Sequence, residues 1–187
     1  QWVRTIPLGL PANISKCLPD LSVDSQRGLV YTAFPQFGKI IIADWINGNT
    51  LDAMELQNFS PDDSCSAQAQ IQVLINAEQQ QLYVLLNQKQ NHHLFIMDSL
   101  PPYSLIKEVN VEDLDWEKIN RSAKTDLLFL DQEYSRLFIG PYVLDTHTSL
   151  LTNQKLSRGQ SVFAVDPITD SYWAIGLEGE GDHSSYV

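Results

Sequence analysis

The densest run of chemically able side chains lies near the end of the chain, in "EGEGDHSS" at residues 178–185. Glu178, Glu180, Asp182 and His183 are hard or borderline ligands spaced by glycines, as a Ca²⁺ or other divalent site needs. The order is not that of an EF-hand loop, and an acidic Gly-spaced segment also serves as a plain linker. Asp113, Asp115 and Glu117 form a thinner acidic run. Asp44, Asp98 and Asp145 each stand just before a turn, in "DWINGNT", "DSLPPYS" and "DTHTS". A carboxylate in that place caps backbone N–H groups, so these three read as structural. His92 and His93 are adjacent; in a strand they point to opposite faces and cannot share one metal, and a solvated hairpin loop is the simpler reading. His147 falls in the turn after Asp145 and is equally plain. No Ser-His-Asp order, nucleophile elbow, phosphate loop or dinucleotide fingerprint is present, so the sequence selects no reaction.

The elements that would position these residues are written as a repeat. A short polar residue stands seven places before an aromatic four times: Asp24 to Tyr31, Asn76 to Tyr83, Asp131 to Phe138 and Asp166 to Trp173. Upstream of each anchor lie "LPDLSVD", "IQVLIN", "DLLFLD" and "QSVFAVD", alternating or continuous apolar runs of strand type. The anchor can bond the backbone two residues on and pin a turn, giving a β-hairpin in each copy. Third strands follow in "GKIIIADW" at 38–45 and "HHLFIMDS" at 92–99, and fourth strands in "TLDAMEL" at 50–56 and "YSLIKEV" at 103–109. A four-stranded antiparallel meander recurring about every fifty residues is the signature of a β-propeller blade. The third copy is trimmed, with only a Gly140-Pro141 link between its second and third strands. The expected fold is all-β, with blades near residues 10–56, 65–109, 124–156 and 158–187, and an N-terminal strand at 2–8. The outer-strand character of 2–8 allows either a closed four-bladed ring or part of a larger ring completed by a second copy or another chain.

The segments "WVRTIPLGLPANIS", "LSVDSQRGLVYTAF" and "GKIIIADWINGNTL" resemble the repeat of the YVTN-type propellers. The resemblance is close over residues 2–56, thinner over 57–110, and a skeleton beyond 126. It implies a disc of radially packed blades, commonly seven, with a binding or scaffold role.

Composition narrows the partners. Twelve basic against twenty-three acidic residues give a formal charge of -11, which repels phosphate backbones and anionic lipid heads. Nucleic acid and membrane insertion are therefore set aside; a protein or carbohydrate partner is expected. No apolar run approaches the roughly 20 residues that span a bilayer. A chain opening at Gln1 without a leader segment reads as a processed chain or a piece of a longer one. Asn13, Asn58 and Asn120 each begin an N-glycosylation acceptor pattern, all in the same part of the repeat. Cys17 and Cys65 fall near the starts of consecutive blades, where equivalent loops lie side by side, so one disulfide or two free thiols are both open. Sequons and disulfide together point to a secreted, periplasmic or cell-surface location. Trp116, in "NVEDLDWEKIN", sits in a short helical turn with Val111, Leu114 and Ile119 inward; exposed, it would suit a protein contact, and a Trp packed between blades is at least as good a reading. The expectation is thus a non-catalytic binding module. The alternatives are a propeller enzyme with an axial site (a metal-dependent hydrolase or lactonase, or a dehydrogenase subunit) and a part of a larger multi-domain chain.

Overall fold

The computed structural model describes residues 19–56, 70–88, 91–116, 127–155, 160–166 and 171–176, together with Leu8. The chain divides into two compact units, Gln1–Glu112 and Asp113–Val187. The first unit holds two four-stranded antiparallel sheets. One comprises β1 (Asp20–Asp24), β2 (Leu29–Phe34), β3 (Lys39–Asp44) and β4 (Asn49–Glu55). The other comprises β5 (Gln70–Asn76), β6 (Gln81–Gln88), β7 (Asn91–Asp98) and β8 (Leu105–Asn110). The second unit holds a third four-stranded sheet, β9 (Leu128–Asp131), β10 (Arg136–Ile139), β11 (Tyr142–Asp145) and β12 (Leu150–Lys155), and a hairpin of β13 (Gln160–Asp166) and β14 (Ser171–Gly176). In each four-stranded sheet, sequence neighbours pair in order. The trimmed third copy keeps that order by shortening its strands and turning at Gly140, whose φ of 53° suits glycine.

Strand alternation decides which residues meet between the first two sheets. On the first sheet, Tyr31, Ala33, Ile40, Ile42 and Met54 share one face. Opposite them lie Ile71, Val73, Ile75, Leu82, Val84, Leu86 and Phe95 of the second, and the two sets form one core. Each Val, Leu, Ile, Phe or Met side chain among them, fully buried, contributes about 1.5–3 kcal/mol. The seam also carries polar bonds. Asp20 Oδ2 accepts from the Val73 amide at 2.7 Å, and Ser22 Oγ accepts from the Ile75 amide at 3.0 Å. The two-residue spacing of Asp20 and Ser22 matches that of Val73 and Ile75, so side chains of β1 satisfy the edge of β5. The Tyr31 hydroxyl crosses the same seam and donates to the Ser99 carbonyl at 2.8 Å.

This seam reverses the expected alternation of β1. In "DLSVD" the polar Ser22 and Asp24 are buried, whereas Leu21 and Val23 are 57% and 46% exposed. The outer strands are interrupted instead. Leu51 is the extra residue of a bulge in β4 and Ile106 the extra residue of one in β8, a device that keeps an edge strand from pairing further.

In the second unit β13 packs against β9 and β10. Leu128, Leu137, Phe138, Ile139, Val143 and Leu144 are buried, and Phe138 meets Phe129 at 6.2 Å between ring centroids. The segment after β8 turns rather than continuing as a strand: Val111 is buried, Leu114 half-buried, and the Trp116 amide donates to the Leu114 carbonyl at 2.8 Å. Trp116 is 6% exposed, so of its two readings the packed ring is the one observed, and the indole is not an exposed contact. Ile119 lies outside the described residues. No helix among the described residues is long and apolar enough to cross a membrane.

Candidate binding surface on the twin turns

In an antiparallel meander the first and third hairpin turns fall at the same end of the sheet. In all three four-stranded sheets that end is built the same way. Asp24 Oδ1 accepts from the amides of Gln26 and Arg27, both at 3.0 Å, while Oδ2 takes the Arg27 guanidinium at 2.7 Å. Asn76 Oδ1 accepts from the Gln79 amide at 3.2 Å, and Asp131 Oδ1 from the Tyr134 amide at 3.3 Å. Asp131 Oδ2 also takes Arg136 Nη2 at 2.7 Å, and that guanidinium lies over the Tyr134 ring. The fourth residue after each anchor has positive φ: Gly28 at 71°, Gln80 at 56° and Ser135 at 53°.

The turn after each third strand repeats the device. Asp44 Oδ1 accepts from Ile46 and Asn47 amides at 2.8 Å, Asp98 Oδ1 from Leu100 at 2.9 Å, and Asp145 Oδ1 from Thr148 at 2.7 Å. The backbone and hydroxyl bonds from Thr148 hold the Asp145 carboxyl below the ordinary aspartate range. The capping role read for Asp44, Asp98 and Asp145 is what these bonds show. One further bond ties the two turns together in each sheet. The residue after the third-strand Asp donates its amide to the carbonyl of the positive-φ residue: Trp45 to Gly28 at 3.0 Å, Ser99 to Gln80 at 2.9 Å, and Thr146 to Ser135 at 2.8 Å.

The twin turn of the first sheet carries an exposed Trp at this edge; Tyr134, on the first turn of the third sheet, is 41% exposed. Trp45 is 43% exposed and Ile46 58%, on a turn fixed by the Asp44 cap and the bond to Gly28. Gly28 suits that place: its φ is left-handed, and a Cβ would push aside the tip of the Ile46 side chain. The pair was not singled out in the sequence, although a Trp directly after a turn-capping Asp has little room to be buried. The counterpart in the third sheet is polar. His147 Nε2 meets Ser135 Oγ at 2.8 Å, in the same positions that Ile46 and Gly28 hold. The Ser135–His147 pair is therefore a cross-turn contact of the repeat before it is anything catalytic.

The other candidates divide by position. Cys17, Cys65, Asn13, Asn58, Asn120, Glu117, Glu178, Glu180, Asp182 and His183 lie outside the described residues. Among the described residues no group of three or more His, Cys, Asp or Glu side chains could hold a metal. Asp113 is exposed and Asp115 half-buried, its amide donating to the Tyr142 hydroxyl at 3.0 Å. His92 and His93 belong to β7 rather than to a solvated loop, because that strand runs back to Asn91. His92 is 7% exposed; His93 stacks on Phe95 and pairs through Nδ1 with Glu108 Oε1 at 2.6 Å. Comparison with protein-family models and with curated proteins finds no match for this chain.

Proposed function

We propose that this chain is a non-catalytic binding module of the β-propeller kind, its four-stranded sheets serving as blades, and that the twin-turn edge carries its contact surface. The observation that carries this reading is the Trp45–Ile46 pair: two large apolar side chains exposed side by side on a hydrogen-bonded turn. A rigid backbone beneath an exposed Trp lowers the ordering cost of association, and Trp is the side chain most enriched at the centres of protein contacts. The aliphatic Ile46 beside the indole favours a protein over a sugar, since a sugar ring would use the aromatic face alone.

A photo-crosslinking residue at the exposed Asn47 tests this in extracts of the native source. A specific partner is expected to be captured saturably, displaced by excess unlabelled wild type, and not displaced by Trp45→Ala/Ile46→Ser. Equal displacement by that double variant would refute the surface. The same reading places the module outside the reducing cytoplasm, on the strength of Asn13, Asn58, Asn120 and the Cys17–Cys65 pair. Intact mass of the native protein should rise by two hydrogens on reduction, and no rise would remove the disulfide.

A further inference from the structure

Asn47–Gly48 is the one Asn-Gly step in the chain, and it follows directly on Trp45 and Ile46. An Asn before a Gly is open to attack by its own backbone, because no Cβ shields the following amide nitrogen. The chemistry needs nothing beyond the turn except water. The Gly48 nitrogen bonds to Asn47 Cγ, the Cγ–Nδ2 bond breaks, and Nδ2 leaves as ammonia carrying the Gly48 proton. Water then opens the five-membered imide. Opening at Cγ leaves Asp at position 47; opening at the main-chain carbonyl leaves isoaspartate, with the chain running through the side-chain carboxyl.

Asn47 is exposed to water, yet both reacting groups are held by one residue. Asp44 Oδ2 accepts from Asn47 Nδ2 at 2.6 Å, and Asp44 Oδ1 from the Asn47 amide at 2.8 Å. The Asp44 carbonyl accepts from the Gly48 amide at 2.8 Å. The attacking nitrogen and the leaving group are therefore both engaged in the closed turn. The frame itself does not require this pair. In the third sheet the Thr148 amide and hydroxyl donate to Asp145 Oδ1 at 2.7 and 3.0 Å, and the Ser149 amide to the Asp145 carbonyl at 2.8 Å. Thr148 and Ser149 thus build the same turn with no side-chain carbonyl that could close an imide.

We propose that Asn47–Gly48 is a self-modification site held shut by Asp44, and that conversion of Asn47 opens the turn beneath Trp45 and Ile46. A carboxylate at position 47 brings a second negative charge to the place where Nδ2 now lies 2.6 Å from Asp44 Oδ2, turning an attraction into a repulsion. Isoaspartate adds a main-chain carbon between Asp44 and Asn49, which pair across the turn. Only the consequence for partner binding rests on the contact surface proposed above; the modification and the opening do not.

Peptide mapping by mass spectrometry, after incubation in mildly alkaline buffer, tests it by following the exchange of NH2 for OH at position 47. Folded wild type is expected to keep Asn47 while the chain unfolded in guanidinium converts. Asp44→Ala, folded by circular dichroism, should convert on the order of tenfold faster than folded wild type, through loss of the side-chain bonds. Asp24→Ala is the control. It costs more stability but keeps the Asp44 cap, so it should convert more slowly than Asp44→Ala. Folded wild type converting as fast as the unfolded chain would overturn the proposal. So would Asp24→Ala converting as fast as Asp44→Ala, because conversion would then follow unfolding rather than the cap. Hydrogen exchange reads the consequence without any partner. In Asn47→Asp the amides of residues 46–48 should exchange faster than in wild type while those of β2 stay protected, and unaltered exchange at 46–48 would overturn the opening of the turn.

Discussion

β1 and β5 hold the same place in successive repeats, yet they are buried the opposite way round. In β5 the apolar Ile71, Val73 and Ile75 are inside; in β1 the apolar Leu21 and Val23 are outside, and Ser22 and Asp24 are inside. The reason lies in what each strand faces. Val73 and Ile75 meet the apolar face of the first sheet, whereas Asp20 and Ser22 accept from amides along the edge of β5 and Asp24 accepts from its own turn. A buried polar side chain that satisfies a neighbouring strand is as much a core residue as a valine. Burial thus follows the partner surface rather than the residue type alone.

The sharpest way to break the comparison is to put the same charge in both places. Val73→Asp should destabilise the first unit by about 4 kcal/mol or more, because an unpaired carboxylate would enter an apolar seam beside Asp20. Leu21→Asp, at the equivalent place, should shift stability by about 0.5 kcal/mol or less. Urea midpoints of the two variants decide this, and similar losses would refute the assigned burial.

A pH titration probes the seam next. Burial pushes the Tyr31 hydroxyl up to about 12 from 10.0. Below pH 10 the phenol is neutral in both folded and unfolded chains, and its contribution is intact. Between pH 10 and about 12 the unfolded chain loses the proton first, so stability should fall by on the order of 2–3 kcal/mol. Tyr31→Phe should be roughly 1 kcal/mol less stable at neutral pH but should lack this contribution to the alkaline fall. An undiminished fall in that variant would assign it to other groups.

The two turn caps of the first sheet offer a smaller contrast. Asp24 is buried and also holds Arg27, while Asp44 caps an exposed turn. Asp24→Ala should cost about 2 kcal/mol and Asp44→Ala about 0.5–1 kcal/mol, measured by thermal unfolding. Equal costs would mean that burial adds nothing to the cap. Ser22→Ala should cost about 1 kcal/mol by leaving the Ile75 amide without its acceptor. No loss there would show that water replaces the hydroxyl.

The fold was readable where a local pattern repeats. The anchors Asp24, Asn76 and Asp131, the third strands ending at Asp44, Asp98 and Asp145, and the order of strands in the shortened third copy all follow from turn chemistry and apolar alternation. Those signals span a few residues and need no knowledge of distant neighbours. The inverted β1 was not readable, because polar residues at 20, 22 and 24 look like a solvent face until β5 is known to lie beside them. Trp116 was open for the same reason: its acidic stretch suggests exposure and its large ring suggests burial, and only tertiary packing shows that it is buried. Trp45 was recoverable in principle, since its place in a short turn leaves it few neighbours.

The bond that ties each pair of turns uses only main-chain atoms. It accepts Trp45, Ser99 and Thr146 as donors, and Gly28, Gln80 and Ser135 as acceptors. The scaffold at this edge is therefore indifferent to most of the side chains it displays. Such an edge can exchange its loop sequences one sheet at a time, by drift or by grafting, while the framework beneath them stays in place. The same architecture could acquire a new specificity without first being redesigned.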